Sequence, residues 1–259
     1  GCRTQPDPYE KEASILETRL QGEVSTQTDV AQFKYKGDVW YDGILEQARY
    51  ETREAWMFLR PTDFLDIKLG RQVLTWGTGD LVFLNDLFPK DWQSFFIGRD
   101  AEYLKAPSDS VKVSLFSDLL NADFVFTPLF ASDRFITGQY ISYWNGALGR
   151  LAGNESELDY DKPDQWFADA EYAARLYRTV GAYELALYGY FGFWKNPGGI
   201  AACGEYIFPR LHVYGASARG PVAGGIGNIE VAYYDSIEDP GGRDPNSNNS
   251  EMRYLVGFA

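Results

Sequence analysis

Residues 53–77 read REAWMFLRPTDFLDIKLGRQVLTWG, and the fold turns on this stretch. It is too apolar for an exposed loop and too rich in charge for a water-soluble core, and Pro61 interrupts it where a helix would need continuity. As strands it makes sense. Leu65, Ile67 and Leu69 fall on one parity and Asp66 and Lys68 on the other, the period of two expected of a strand with unlike faces. Pro61 fixes φ and Asp63 can bond its own backbone, so residues 61–63 read as a tight turn. The turn joins a strand from about Tyr50 to Arg60 to a second one starting at Phe64.

The pattern recurs. In residues 14–25 Leu16, Leu20, Gly22 and Val24 oppose Glu17, Arg19, Gln21 and Glu23; then Ala31, Phe33, Tyr35, Val39 and Tyr41 oppose Gln32, Lys34, Lys36 and Asp38. Val111, Val113 and Leu115 oppose Lys112 and Ser114, and Trp166, Ala168, Ala170, Tyr172, Ala174 and Leu176 oppose Asp169, Glu171 and Arg175. Tyr183, Leu185, Leu187, Phe191 and Phe193 oppose Glu184, Tyr188 and Tyr190. Ile207, Leu211 and Val213 oppose Arg210, His212 and Tyr214, and Ile229, Val231 and Tyr233 oppose Glu230 and Ala232. Strands of a soluble sandwich or carbohydrate-binding barrel, the competing reading, average about 5 to 6 residues. Several segments here run to about ten, the length of a membrane-crossing strand.

Composition narrows the classes further. Aromatic residues make up 16% of the 259 residues and Gly numbers 26, a β-rich profile. A net charge of −13 without any basic run argues against a nucleic-acid partner, which needs clustered Lys and Arg. No apolar run reaches the length of a transmembrane helix, and the first residues lack the regions of a signal peptide. Cys2 and Cys203 are the two cysteines, too few for a disulfide scaffold or a zinc site.

These observations predict an all-β chain forming one domain over residues 1–259: a transmembrane, antiparallel, up-and-down β-barrel with about eleven strands visible. The apolar face would meet lipid and lipopolysaccharide, the charged face would line a water-filled lumen, and closure would spare the backbone unpaired groups in hydrocarbon. Trp40, Tyr41, Trp76, Trp166, Trp194, Tyr206 and Tyr234 lie near predicted strand ends, where interfacial girdles form. Short connections near 27–30, 61–63, 117–121, 179–182 and 219–226 alternate with long ones near 43–49, 77–109, 128–163, 195–204 and 237–250. The short class belongs to the periplasm. The first strand then starts at the outer surface, so a further strand is expected upstream in a larger, even-stranded barrel.

Residues expected to line the lumen are Arg19, Lys34, Lys36, Asp38, Asp66, Lys68, Arg71, Asp169, Glu171, Arg175, Arg210 and Glu230, a mixed ladder that sets ion selectivity or forms structural salt bridges. Strict alternation would aim Arg71 at lipid, so a bulge at Gly70 is expected to turn it inward. The 77–109 loop, with Asp80, Asn85, Asp86 and Asp91, is either a constriction folded into the lumen or an outer cap packed on its own side chains. His212, the single histidine, is expected as a hydrogen-bonded residue of the lumen face. Asp235, Glu238, Asp239 and Asp244 offer oxygens of the kind Ca²⁺ takes, but without EF-hand spacing they read as a solvated acidic loop. Cys2 and Cys203 both fall on the outer side, where a disulfide is permitted. No nucleophile elbow, phosphate loop or dinucleotide fingerprint occurs, so neither enzyme activity nor a metal or cofactor is expected.

Arg53–Ala55, Gly70–Gln72, Trp76 with Gly77, and Asn85, Asp86, Pro89 and Asp91 together form a pattern that resembles Gram-negative outer-membrane porin-like proteins of the alginate-export-like and related uncharacterised families. The resemblance covers roughly residues 50 to 130. It implies a bacterial outer-membrane channel with a loop-constricted lumen; the basic lumen that would suit alginate is not evident. The leading expectation is a porin passing ions or small hydrophilic solutes through a mixed-charge lumen. The alternative is a structural sheath enclosing a protein partner, such as an electron-transfer protein.

Overall fold

The opening stretch is a hairpin in the computed structural model, which describes residues 11–79, 81–146 and 148–259. Its arms are β3 (Gln47–Thr62) and β4 (Leu65–Val73), preceded by β1 (Glu17–Gln27) and β2 (Ala31–Asp42). There follow α1 (Trp92–Ile97), β5 (Pro107–Leu115), β6 (Asn121–Thr127), β7 (Tyr143–Asn145), β8 (Arg150–Ala152), β9 (Glu171–Val180) and β10 (Tyr183–Phe193). The last elements are β11 (Gly199–Ile200), β12 (Tyr206–Ile207), β13 (Arg210–Val222), β14 (Gly225–Ser236) and β15 (Glu251–Phe258). Eleven strands make one antiparallel sheet in the order β1-β2-β3-β4-β5-β6-β9-β10-β13-β14-β15; β7–β8 and β11–β12 are separate two-stranded ribbons. Every sheet neighbour is the next long strand in sequence, as in an up-and-down meander. Among the described residues β1 and β15 do not pair with each other, so the sheet has two free edges.

The turn of the hairpin falls at residues 63–64, later than expected. Pro61 has no N–H for the ladder, and the register shifts between Leu59 and Thr62 to leave it unpaired. The connection between β2 and β3, expected to be long, is only residues 43–46. Both strands extend further than their alternation shows, and the Asp42 carboxylate closes the turn by accepting the N–H groups of Ile44 and Leu45 at 3.0 Å.

One face of the sheet is wrapped around the connection between β4 and β5, residues 74–106. That segment touches Glu17 of β1 and Asp38 of β2 at one end of the sheet and Glu230 of β14 at the other. This inner face carries the charge. The outer face is apolar and exposed: Leu20 is 76% accessible, Leu187 59% and Val256 80%, with Val24, Phe124, Ile229 and Tyr254 similarly uncovered.

Several side chains lie on the face opposite to expectation. Trp40, Trp76, Trp194 and Tyr234 are buried, not set in an exposed girdle. Trp76 packs on Phe88 and Tyr188, and Arg19 lies 4.1 Å over the Trp40 ring. In β13 the faces are reversed: Leu211 and Val213 are inner and fully buried among Leu84, Tyr190 and Tyr234. Arg210 and His212 point outward, cross-strand from Phe193 and Phe191; Arg210 is over the Phe193 ring and His212 is edge-on to Phe191.

Gly70 has a φ of +115°, and a Cβ there would sit 2.3 Å from the Ala55 carbonyl oxygen. Gly70→Ala should therefore destabilise by at least ~1–3 kcal/mol, from the cost of the backbone conformation alone. Gly146→Ala, where nothing lies within 4 Å, should be near neutral. Urea unfolding of the two variants measures the difference, and equal midpoints would refute the strain.

Candidate functional site

The segment 74–106 is built to cross the inner face and stay there. Leaving β4, it reaches β14, where the buried Glu230 carboxylate gathers five donors. Oε1 accepts the Thr78 N–H, the Thr78 hydroxyl at 2.7 Å and the Gly79 N–H at 3.1 Å. Oε2 accepts the Asn85 N–H at 3.3 Å and its side-chain amide at 2.9 Å. Hydrogen bonds to a carboxylate are about twice as strong as those to a neutral acceptor, so five fixed donors on one carboxylate anchor the loop. Gly77, at φ +80°, lets the backbone approach this carboxylate.

Beyond Asn85 the chain turns back. Lys90 pairs with Asp86 at 2.9 Å, both side chains buried, and its backbone N–H donates to Asp133 at 2.8 Å. Asp133 also accepts Trp92 Nε1 and Asn196 Nδ2, each at 2.9 Å. Burial pushes the Lys90 ammonium down and the Asp133 carboxyl up, against the pull of their partners. Asp91 caps α1 by accepting the Ser94 N–H at 2.7 Å, and Arg134 bridges it to Glu51. Lys195 and Tyr190 both donate to the buried Glu171 carboxylate.

The segment then meets the β1–β3 end of the sheet. Arg99 pairs with Glu17, Arg53 donates to the carbonyls of Glu102 and Lys105 at 3.1 Å, and the Tyr103 hydroxyl donates to Asp38 at 2.8 Å. Burial, reinforced by the hydrogen bond to Asp38, pushes the Tyr103 phenol up to about 12. The shift sets a sign: the folded state prefers the neutral phenol. The Tyr103 contribution is fully present below the unfolded value near 10 and is lost as pH rises through about 12. Alkaline absorbance titration should lose one late-ionising tyrosine in Tyr103→Phe; an unchanged high-pH limb would refute the assignment.

The other expected lining residues sort by face. Arg19 bridges Glu17 at 2.9 Å and Asp38 at 2.7 Å; Lys34 bridges Glu54 at 3.0 Å and Glu23 at 3.3 Å; Lys36 meets Glu102 at 3.2 Å. Lys68 sits over Trp56 at 4.1 Å, Asp66 takes both ends of Arg60, and Arg175 pairs with Glu184 at 2.7 Å. The inner ladder is thus largely self-neutralised.

Three expectations are corrected. No bulge shifts the β4–β5 register at Gly70: Arg71 stands opposite Asp109, and its side chain lies at the edge of β4, beside an opening shared with Glu51, Gln93 and Arg134. Asp169 precedes β9 in a turn, where it accepts the Gln165 N–H and lies 4.0 Å from the outward-facing Arg210 of β13, so it is not on the inner ladder. Arg210 faces outward, as described. Asn85, Asp86 and Asp91 are buried and hold the segment in place, while Asp80 lies outside the described residues. Cys203 is an exposed free thiol, and its pairing with Cys2 also falls outside them. In the 235–251 loop the Asp239 carboxylate accepts the N–H groups of Arg243 and Asp244, and no cluster of metal-binding groups occurs among the described residues.

Thr78, Lys90, Tyr103, Asp133, Arg134 and Lys195 all lie in connections, where the period of two does not run. Only Lys90, four residues after Asp86, leaves a local signal. Open volume remains beside the segment, including a cleft of about 440 Å³ bounded by Phe83, Lys90, Trp194, Asn248 and Arg253. No protein-family model matches the chain, and no curated protein matches it either.

Proposed function

We propose that this sheet is the wall of an outer-membrane β-barrel that passes ions or small hydrophilic solutes, with residues 74–106 narrowing its lumen. The observation that carries the reading is the inversion of the two faces: aliphatic and aromatic side chains are uncovered along the outer face while ion pairs occupy the inner one. In water, an apolar surface extending over so many strands would far exceed the patch a soluble monomer exposes. Facing lipid it is the stable arrangement, and closure of the free edges is what hydrocarbon requires. The porin-like motifs of residues 50 to 130 point the same way.

A sheath around a protein partner would need an empty interior. The segment spanning from Glu17 to Glu230 favours a solute-sized passage instead. Acidic loops, in a chain of net charge −13, raise the local cation concentration at the mouth. The reading assigns neither catalysis nor a cofactor. Single-channel recording in a planar bilayer under a salt gradient is the test: ohmic steps with a cation-selective reversal potential are expected, and silence from inserted protein would overturn the open channel.

A further inference from the structure

The sheet is interrupted between β3 and β4. Their pairing ends at Ala55 opposite Arg71, although β3 continues to Gln47 and β4 to Val73, still paired with β5. Among the described residues, residues 47–54 of β3 therefore have β2 on one side and no strand on the other. At one point a side chain bridges the gap: Arg71 Nε donates to the Thr52 carbonyl at 2.7 Å, and its Nη1 reaches Asp109 at 3.1 Å. A cleft of about 830 Å³ occupies the opening. It is lined from the inner face by Trp40 and Glu51 and from the outer face by Tyr50 and Asp109, so it passes through the sheet.

Among the described residues, the charges around it are matched except at one place. Arg134 has Glu51 and Asp91, Arg71 has Asp109 and Arg99 has Glu17. Arg49 meets neutral groups: the Tyr140 hydroxyl at 3.2 Å and, with its amide turned to face it, the Gln47 oxygen at 3.1 Å. The Tyr140 hydroxyl in turn donates to the Asp42 carboxylate, so among the described residues no carboxylate touches the Arg49 guanidinium directly, and it keeps donors for an incoming anion.

Height in the bilayer says what kind of anion. This step rests on the barrel reading, with the short turns in the periplasm. The paired part of the hairpin, residues 55–62 of β3, rises about 20 Å at ~3.3 Å per residue and ~40° tilt, against an apolar band about 25 Å tall. The opening begins near the outer headgroup level, where a molecule can place a charged head in the cleft and keep its chain in lipid.

We infer that the gap between β3 and β4 is a lateral portal that binds the anionic head of an amphiphile, a carboxylate or phosphate ester carrying an acyl chain. Arg49 faces the head, Arg71 bars the opening, and the chain lies on the outer face beside Tyr50. The ligand comes either from the resident lipid or from free fatty acid.

A photoreactive residue in place of Tyr50, and separately in place of Leu187 on β10, tests this in the intact outer membrane. Isotope-labelled fatty acid is supplied, and the adducts are weighed by mass spectrometry. Leu187 should collect lipids in bulk proportion. Tyr50 should collect anionic amphiphiles enriched about tenfold, equivalent to ~1.4 kcal/mol, and Arg49→Gln should return that ratio to bulk. Labelled adducts identify free fatty acid as the source and unlabelled ones resident lipid; both support the portal. Equal compositions at the two positions, enrichment that survives Arg49→Gln, or adducts to a protein strand paired on the β3 edge would overturn it. Lipid at Leu187 with no enrichment at Tyr50 refutes the portal alone, whereas no lipid at either position refutes the membrane reading on which it rests.

Discussion

Glu230→Ala should release the segment that crosses the inner face. Five donors converge on this carboxylate, and Glu230 is only 1% accessible. Truncation leaves those N–H and O–H groups facing the vacated space beside Gly77 and Asn85. A stranded buried donor costs ~1–3 kcal/mol, and water entering the vacated space offsets part of the total. The expected net loss is about 3–5 kcal/mol, concentrated in residues 77–85. Limited proteolysis should cut that stretch in Glu230→Ala at protease levels that spare the parent, and single-channel conductance should rise as the constriction loosens. Glu230→Gln keeps the shape but turns an N–H₂ toward N–H donors, so it should fall between the two. Parental proteolysis and conductance in Glu230→Ala would show that the segment is held elsewhere and that the carboxylate is incidental.

The strands were legible because period two is a local property. Where one parity is apolar and the other charged, as in β1, β2, β5 and β14, the expected faces and the observed ones coincide. The eleven-stranded meander follows from the same signal. Period two does not fix the faces where both parities carry large rings or aliphatics. In β13 the two choices were Leu211 and Val213 or Arg210, His212 and Tyr214. Charge named the second set as inner. The crossing segment decided otherwise: Leu84 brings an apolar surface onto the inner face, and Leu211 and Val213 bury against it.

The buried tryptophans have the same cause. An inner face that receives a packed segment needs apolar and aromatic partners, so Trp76 and Trp194 are inside with Phe88 and Tyr234, not at a water–lipid boundary. Arg71 has a different cause. The cost of an arginine at this position assumes a continuous sheet; at the interruption beside β3 the guanidinium finds a carbonyl and a carboxylate on the spot. Neither fact is visible in a pattern of single strands, since both depend on which distant residues are brought opposite.

Lys195→Met should be the second large loss. Lys195 Nζ donates to Glu171 and, at 3.0 Å, to the Ala131 carbonyl, and Glu171 also takes the Tyr190 hydroxyl and the Ala131 N–H. Both side chains of the pair are nearly inaccessible. Removing one partner of a buried ion pair costs ~3–5 kcal/mol because the remaining charge is left without compensation. Replacing both by apolar residues is often close to neutral. Lys195→Met with Glu171→Leu should thus recover ~2 kcal/mol or more over the sum of the single losses, measured as the coupling in a double-mutant cycle. The consequences reach the crossing segment, because the same stretch of chain holds Asp133: its N–H donates to the Lys195 carbonyl at 2.8 Å, and Asn196 and Trp92 donate to its carboxylate. Lys195→Met should therefore also loosen the seat of α1, read as faster hydrogen exchange over residues 92–97. Additive losses with unchanged exchange there would mean that Glu171 finds its compensation in Tyr190 and the backbone, and that the pair contributes rigidity only locally.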